Sequence, residues 1–224
     1  MSGSSDITNS KPWHDRMYLP VYSVVDAARY AQTHRSTVWR WYHSRRAENV
    51  LRGKADGERL SYLQLIEVAL VSQFRRCGIS LRRIREAHGY LSDLIGTEYP
   101  FAQTRLKTDR VHLFLELPEE HPRADVGKFI VTDDHGQLAW ANMYDALDYE
   151  DFLAVRWFVR GREVPISIDP RVAFGSPTVN GVPTWALKES FNAGESLEEI
   201  QANYEIPMKD LRFALQFEKV PVAA

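Results

Sequence analysis

The chain has 224 residues, of which 44% are hydrophobic and 26% are charged, a composition typical of a globular protein rather than a disordered or fibrous one. Its single cysteine, Cys77, excludes an intramolecular disulfide, and no Cys/His cluster has the spacing of zinc ligands. No apolar stretch approaches the roughly 20 residues of a membrane helix, and the polar segment 1–11 lacks the apolar centre of a signal peptide. We therefore expect a cytoplasmic protein without a cofactor or a membrane partner.

Charge is distributed unevenly along the chain, although the net charge is only −2. Between Arg29 and Arg85 there are 13 Lys/Arg and 4 Asp/Glu, a local charge of +9, whereas the remainder carries −11. A basic segment of this kind suits a polyanion. Arginines that merely cover solvated helix faces would give the same count, so the motifs inside the segment must decide between the two interpretations.

The first predicted element is a helix that begins after Ser23. Ser23 and Asp26 have the spacing of a capping box, in which a hydroxyl and an acidic side chain satisfy the first backbone N–H groups. A short polar turn follows at residues 32–35. The apolar stripe of the helix consists of Val24, Ala27, Ala28 and Ala31.

A second helix is predicted over residues 37–44, with Ser36 as its N-cap. Val38 and Trp41 lie one turn apart and share the face that we expect to be buried. Two short helices joined by a short turn form a helix-turn-helix, whose second helix enters the DNA groove. The opposite face presents side chains that bind phosphates and base edges, namely Thr37, Trp39, Arg40 and His43.

The arginine-rich segment 45–59 follows the second helix, and we interpret it as a wing beside the recognition helix. Its basic side chains are expected to contact DNA phosphates, whereas Arg40 is expected to contact a base edge. The complete set of predicted DNA-binding residues is Arg35, Ser36, Thr37, Trp39, Arg40, His43, Arg45, Arg46, Arg52 and Lys54.

Two further helices follow the wing. The first covers residues 63–74, is apolar on more than one face and ends at Gly78, and the second begins after Ser80. His88 lies on the apolar stripe of the second helix, which favours a core histidine over a metal ligand. These helices are the predicted interface of a homodimer, because repressors of this kind pair two half-sites, although they would also complete the core of one chain.

From about residue 100 the hydrophobic period changes from about 3.6 to about 2, which predicts a small β-rich unit. Asp133 and His135 could hold a metal or act in acid/base chemistry, but Asp and Gly are also the residues that a hairpin turn selects, and the turn is favoured. The predicted elements are a strand over 111–117, a hairpin over 129–141 and a helix or strand pair over 149–159.

The last part of the chain opens with a strand and turns rich in Gly and Pro, and ends in short helices over 185–192, 197–204 and 208–217. Residues 196–217 have the pattern of a second helix-turn-helix. From Glu195 to Glu218 six acidic residues stand against two basic ones, a local charge of −4 that would repel DNA. We therefore expect this part to bind a basic protein or to self-associate, with a purely structural role as the alternative.

Two parts of the chain resemble known bacterial families. The segment Tyr22-Ser23-Val24-Val25-Asp26-Ala27-Ala28, followed by Ser36-Thr37-Val38-Trp39-Arg40-Trp41, resembles the winged helix-turn-helix of MerR-type regulators and excisionases. The segment Gly175-Ser176-Pro177-Thr178-Val179-Asn180-Gly181-Val182-Pro183-Thr184, followed by Ala193-Gly194-Glu195-Ser196-Leu197-Glu198-Glu199-Ile200, resembles VapB-like antitoxins. The partners of that family are PIN-type ribonuclease toxins, and its members often carry a MerR-like front end.

The resemblance implies an α+β protein with a MerR-like winged helix-turn-helix, a small β-rich middle unit and a C-terminal three-helix antitoxin domain that is itself helix-turn-helix-like. The expected divisions are a flexible tail at 1–17, a DNA-binding domain at 18–98, the middle domain at 99–162 and the antitoxin-type domain at 163–224. As a dimer, such a protein would bind operator DNA, repress its own operon and neutralise its toxin. The residues expected to contact the toxin are Gly175, Pro177, Gly181, Trp185, Glu198, Glu199, Phe213 and Phe217.

Two other functions remain open from the sequence. One is a stand-alone MerR-like transcriptional regulator in which residues 100–160 bind a small effector and no toxin exists. The other is an enzyme that uses the region of Asp133 and His135. The chain contains no Gly-x-Ser-x-Gly elbow, no phosphate-binding glycine loop and no His-Glu-x-x-His motif. A binding protein is therefore expected rather than an enzyme.

Overall fold

The computed structural model describes residues 13–43, 49–51, 59–103, 105–108, 113–116 and 145–222. Helices and antiparallel sheets alternate along these residues, so the fold is α+β, as the sequence predicts. A short 3-10 helix at Asp15–Tyr18 precedes the first strand and packs against the core through Met17.

The N-terminal elements are β1 (Tyr22–Ser23), α1 (Val24–Tyr30) and α2 (Arg35–Tyr42). The predicted cap of α1 is confirmed, because the Ser23 hydroxyl accepts a hydrogen bond from the Asp26 amide at 3.0 Å. The predicted cap of α2 at Ser36 is wrong. The turn closes early through a bond from Thr33 N to Ala28 O, and the carbonyl of His34 then accepts from Thr37 N and Val38 N. His34 is therefore the N-cap, and its Nδ1 accepts from Ser36 N.

The central element of the fold is α3 (Tyr62–Arg76), which is buried along most of its length. Ser61 and Gln64 form a capping box at its start, and the chain turns at Gly78 as predicted. Helix α4 (Leu81–Ile95) begins after the predicted cap Ser80 and packs against α3. The short strand β2 (Arg59–Leu60) pairs with β1 and brings the start of α3 beside the start of α1. Because α3 is enclosed within one chain, it completes the core rather than offering a dimer surface.

The middle part contains a hairpin of β3 (Arg105–Thr108) and β4 (Leu113–Glu116), with Arg105 opposite Glu116. Strand β4 lies inside the predicted strand 111–117. The strand-pair alternative for 149–159 is confirmed by β5 (Leu147–Glu150) and β6 (Leu153–Phe158), which pair antiparallel. The predicted hairpin over 129–141, including Asp133 and His135, lies outside the described residues.

A five-stranded antiparallel sheet joins the middle part to the C-terminal part, in the order β5-β6-β7-β8-β9 among the described strands. Its last three strands are β7 (Ile166–Ile168), β8 (Thr178–Val179) and β9 (Val182–Pro183). Trp157 in β6 pairs with Ile168 in β7, so the sheet continues past the predicted domain boundary between residues 162 and 163. The division of the chain into separate domains at that point stays a prediction.

Three C-terminal helices follow the sheet: α5 (Thr184–Asn192), α6 (Leu197–Tyr204) and α7 (Met208–Phe217). Their bounds agree with the predicted ones to within one residue. The predicted capping box of α6 is confirmed, because Glu199 N donates to the Ser196 hydroxyl while Ser196 N donates to the Glu199 carboxylate at 2.7 Å. The helices enclose a small core of their own, which includes Val179, Leu187, Ile200, Leu211 and Leu215.

Candidate functional site

Helix α2 is held against the core by one face and is open to solvent on the other. Val38, Trp41 and Tyr42 are buried, and the Tyr42 hydroxyl donates to the carbonyl of Gln64 in α3. The amide of Val50 donates to the carbonyl of Trp41, which ties the chain that follows to the end of the helix. The opposite face carries six of the predicted DNA-binding residues: Arg35, Ser36, Trp39, Arg40 and His43 are exposed, and Thr37 is half-buried.

Two rings on the exposed face of α2 stack on each other. The centroids of Trp39 and His43 are 3.7 Å apart and their planes differ by 13°. His43 Nδ1 also lies 3.1 Å from the carbonyl oxygen of Trp39, so the pair is fixed on the helix surface. Trp39 remains 43% exposed. The stack therefore presents a flat aromatic surface to solvent on this face of α2.

Arg40 lies on the same exposed face of α2. Its Nε donates to the carbonyl of Ser36 at 3.3 Å. A guanidinium group has five N–H donors in a planar fork, so the two terminal nitrogens of Arg40 are placed to donate to an acceptor outside the chain. The buried position of Trp41 confirms that it belongs to the core and not to the exposed aromatic surface.

The structure adds two basic residues that the sequence analysis did not assign to the site. Arg75 and Arg76, in the last turn of α3, line a groove of about 320 Å³ together with Thr37 and Arg40. Arg76 Nη1 donates to the carbonyl of Ala31 at 2.9 Å, and burial lowers the pKa of Arg76. In the sequence these arginines look like ordinary cations at a helix C-terminus, so nothing in the sequence indicated that they face α2.

The remaining predicted DNA-binding residues, Arg45, Arg46, Arg52 and Lys54, lie outside the described residues. Their predicted role as a wing therefore stays a prediction.

The residues predicted to contact a toxin are divided between the surface and the interior. Gly181, Trp185, Glu198 and Glu199 are exposed, and Phe213 and Phe217 are half-buried. Gly175 and Pro177 are buried. Gly175 accepts a hydrogen bond from the Tyr22 hydroxyl at 2.9 Å, so it serves a contact within the chain.

The end of α7 is attached to α1 by a cluster of aromatic and charged side chains. The rings of Tyr30 and Phe217 stack with centroids 5.8 Å apart, and the guanidinium carbons of Arg29 and Arg160 each lie 5.3 Å from the centroid of Phe217. Arg29 Nη1 donates to Glu218 Oε2 at 2.9 Å. Burial alone would lower the pKa of Arg29, but its hydrogen bonds with Glu218 and Tyr30 outweigh that effect and raise the pKa. We call this cluster the α1–α7 joint.

In the part of the chain that the structure describes, no helix is long and apolar enough to cross a membrane. Within the same residues, no group of three or more His, Cys, Asp and Glu side chains is placed to hold a metal ion.

The described fold combines the short helices α1 and α2 with a C-terminal sheet and helices, and comparisons with known proteins match the C-terminal segment and most of the chain. Residues 166–217 match a family described as "Protein of unknown function (DUF433)". The chain is 21% identical over 226 residues to a Mycobacterium tuberculosis protein named "Putative antitoxin VapB45", covering 89% of this chain and 94% of that protein.

A solved structure shares the fold. The crystal structure of Rv2018 from Mycobacterium tuberculosis superimposes with a TM-score of 0.63 at 21% identity, and the match covers 88% of this chain and 98% of that one. The architecture described above, from the first helices to the end of α7, is therefore also found in an experimentally determined protein.

Proposed function

We propose that the chain is a cytoplasmic, non-enzymatic antitoxin that binds operator DNA through a MerR-like helix-turn-helix and represses its own operon. Its C-terminal unit, which comprises β7–β9 and α5–α7, would neutralise a ribonuclease toxin of the PIN type. The observation that carries the DNA-binding part is the exposed face of α2, on which Arg40 and the Trp39–His43 stack project from a helix fixed to the core. Arg75 and Arg76 extend the positive charge beside that face, and cations at such positions bind DNA phosphates.

Similarity supports the antitoxin part of the proposal. A protein named as an antitoxin matches nearly the whole chain, and the matched C-terminal segment is the one that resembles antitoxins in sequence. The exposed acidic residues of this unit, Glu198 and Glu199, are complementary to a ribonuclease, which must be basic where it binds RNA.

DNA binding is tested by fluorescence anisotropy with a duplex from upstream of the chain's own gene and a scrambled duplex of equal composition. We expect the wild type to prefer the native duplex. Arg40→Ala should weaken binding to that duplex by about 1–3 kcal/mol and change binding to the scrambled one little, because a bidentate arginine contact to a base distinguishes sequences. Lys209→Ala removes one exposed charge from α7 and is the matched control. Equal weakening on both duplexes by Arg40→Ala would contradict the proposal.

Toxin binding is tested by coexpression with the product of the neighbouring reading frame, followed by copurification and measurement of cell growth. Deleting the C-terminal unit is a poor test, because the sheet β5–β9 and the α1–α7 joint would lose their partners. Trp185→Ala changes a side chain that is 55% exposed and should reduce copurification and rescue of growth. Tyr18→Ala changes an exposed aromatic residue outside this unit and should do neither. Full neutralisation by the Trp185→Ala chain would count against the assigned surface.

Dimerisation is part of the proposal, because one short recognition helix contacts too few base pairs for useful specificity. Since α3 is enclosed, the outer side of α4, where Tyr90 is exposed, is the remaining predicted contact. Light scattering should give twice the mass of one chain, and Tyr90→Lys should give a larger monomer fraction. A monomeric wild type, with and without DNA, would exclude a dimer.

A further inference from the structure

A cleft of about 840 Å³ lies between the helix-turn-helix and the C-terminal unit. One side is formed by α1 and the turn that leads into α2, including Gln32, Thr33 and His34. The other side is formed by the end of α7 with Phe213 and Phe217, and the connection between β6 and β7 contributes Arg160 and Val164. The volume lies in the range of about 300–1,000 Å³ that is usual for small-molecule sites.

The charge on the walls of this cleft has one sign. Arg29, Arg35, Arg160 and Lys219 line it, and among the residues that the structure describes neither Asp nor Glu belongs to the lining. The carboxylate of Glu218, beside the cleft, is already bonded to Arg29 and to the hydroxyl of Thr184. The positive charge of Arg35, Arg160 and Lys219 is therefore available to an anion that enters the cleft.

Arg160 is the cation in the cleft that a bound anion would stabilise most. It is half-buried, and its Nη1 donates to the carbonyl oxygens of Tyr30 and Val159, at 2.9 and 3.1 Å. Burial lowers the pKa of Arg160, and repulsion from Arg29 and Arg76 lowers it further. Carbonyl oxygens satisfy the N–H groups of a buried cation without neutralising its charge. A bound anion would stabilise this group of arginines.

The other walls of the cleft are apolar. Val25, Val164 and Phe213 line it together with the ring of Phe217. These surfaces suit the hydrophobic body of an organic molecule. They do not suit the charged phosphates of a DNA backbone, and duplex DNA is too broad to enter a space enclosed on two sides by protein.

We propose that the cleft binds a small organic anion, with a carboxylate or phosphate head against the arginines and an aromatic or aliphatic body against the apolar wall. Such a ligand would contact both α1 and α7, so its binding would strengthen the α1–α7 joint and stabilise the folded chain by mass action. The lining includes Arg35, which is also a predicted DNA-binding residue, and Phe213 and Phe217, which are also predicted toxin contacts. The tests of the inference therefore measure ligand binding in the absence of DNA and toxin.

The first test uses the full chain and three probes with the same ring system: 1-naphthoate, 1-naphthyl phosphate and the neutral 1-naphthalenemethanol. Isothermal titration calorimetry should show saturable binding of at least one anion with a stoichiometry of one per chain, and that anion should raise the Tm. Binding of the carboxylate alone or of the phosphate alone identifies the head group. If neither anion bound, or if the neutral alcohol bound as tightly, the proposal would be wrong.

The second test uses paired variants. Arg160→Gln should raise the Kd of the bound anion at least about tenfold, because a charge-assisted hydrogen bond is lost. Arg162→Gln is the matched control, since Arg162 pairs with Asp148 and does not line the cleft. Lys219→Gln, with Lys209→Gln as its control, repeats the comparison at an exposed position where folding is not at risk. An unchanged Kd in both Arg160→Gln and Lys219→Gln would overturn the proposal.

Discussion

The hydroxyl of Tyr22 donates a hydrogen bond to the carbonyl of Gly175 at 2.9 Å, across 153 residues of sequence. Tyr22 lies in β1, directly before α1, and Gly175 lies in the turn that precedes β8, so the bond connects two parts of the fold that are distant in sequence. Both residues are buried. The contact also explains the glycine, because a Cβ at position 175 would lie 2.2 Å from the Tyr22 oxygen.

Gly175→Ala should therefore lower the free energy of unfolding for two reasons. Its φ of +78° costs an alanine about 1–2 kcal/mol, and the methyl group would also displace the Tyr22 ring. Gly181→Ala is the matched control, because Gly181 has a φ of +82° but no atom within 4 Å of the added Cβ. We expect urea unfolding to show a larger loss for Gly175→Ala than for Gly181→Ala. Equal losses would mean that the contact with Tyr22 contributes nothing.

Glu67 and His88 form a buried pair that fastens α4 and the following chain to α3. Glu67 Oε1 accepts from Ala102 N at 2.9 Å, and Glu67 Oε2 lies 3.1 Å from His88 Nε2. Glu67→Ala should cost about 1–3 kcal/mol, because it leaves the buried amide of Ala102 without its acceptor. Hydrogen exchange at Ala102 should become faster. Glu86→Ala, which breaks only the exposed pair with Arg82, should cost less than about 1 kcal/mol.

The backbone of Phe174 has a left-handed conformation, and the ring is 83% exposed, so little packing offsets the cost of that conformation. Its φ is +53° and that of Ala173 is +45°, a conformation that costs most side chains about 1–2 kcal/mol but that asparagine tolerates. Phe174→Asn should raise the melting temperature, whereas Phe174→Ala removes the ring without relieving the backbone and should change it little. Identical melting temperatures for the two variants would show that the backbone conformation is not a source of strain.

Asp169 should make the stability depend on pH below about 4. Burial alone would raise the pKa of Asp169, but hydrogen bonds from Arg171 and Arg156 outweigh that effect and hold the pKa below its ordinary value of 3.8. Because the pKa is lower in the folded state than in the unfolded state, the stabilisation by Asp169 is complete above the ordinary pKa. It is lost as the pH falls through the folded-state value.

The measurement is urea unfolding between pH 2.5 and about 6, compared with Asp169→Asn. The advantage of the wild type over the variant should be constant above pH about 5 and should shrink below pH about 4. Glu189→Gln, an exposed carboxylate outside this cluster, is the control and should leave the pH profile unchanged. A wild-type advantage that grows on acidification would reverse the assigned sign.

The predicted wing should act through DNA phosphates rather than bases. Arg46→Ala should weaken binding to native and scrambled duplexes alike and reduce the slope of log affinity against log salt by roughly 1. Arg40→Ala, measured in the same salt titration, should instead change the preference between the two duplexes. If Arg46→Ala left the salt slope unchanged, the wing would not contact the phosphates.

The helices could be predicted from the sequence where their signals are local. Ser23, Ser80 and Ser196 each cap the helix that was expected to follow, because the hydroxyl and the N–H that it bonds are three residues apart. The cap at Ser36 was misplaced by two residues, since the bond from Thr33 to Ala28 closes the preceding turn early and makes His34 the N-cap.

The contacts that join the two ends of the chain could not be predicted. Tyr22 meets Gly175, and Arg29 meets Glu218, across separations of 153 and 189 residues that no local pattern encodes. For the same reason Phe217, expected to contact a toxin, was not recognised as the neighbour of Tyr30. The exposed face of α2 was predictable, because Val38 and Trp41 identify the buried face of that helix and leave Arg40 on the other.

The α1–α7 joint has a consequence for the order in which the protein becomes stable during synthesis. Tyr30 is made early, but the Phe217 ring on which it stacks is translated 187 residues later, a delay of roughly 10–40 s at about 5–20 residues per second. During that time the surface of α1 that the joint covers is open to chaperones and proteases. A chain that terminates before α7 keeps that surface open permanently, so only complete chains present α2 on a fully supported scaffold.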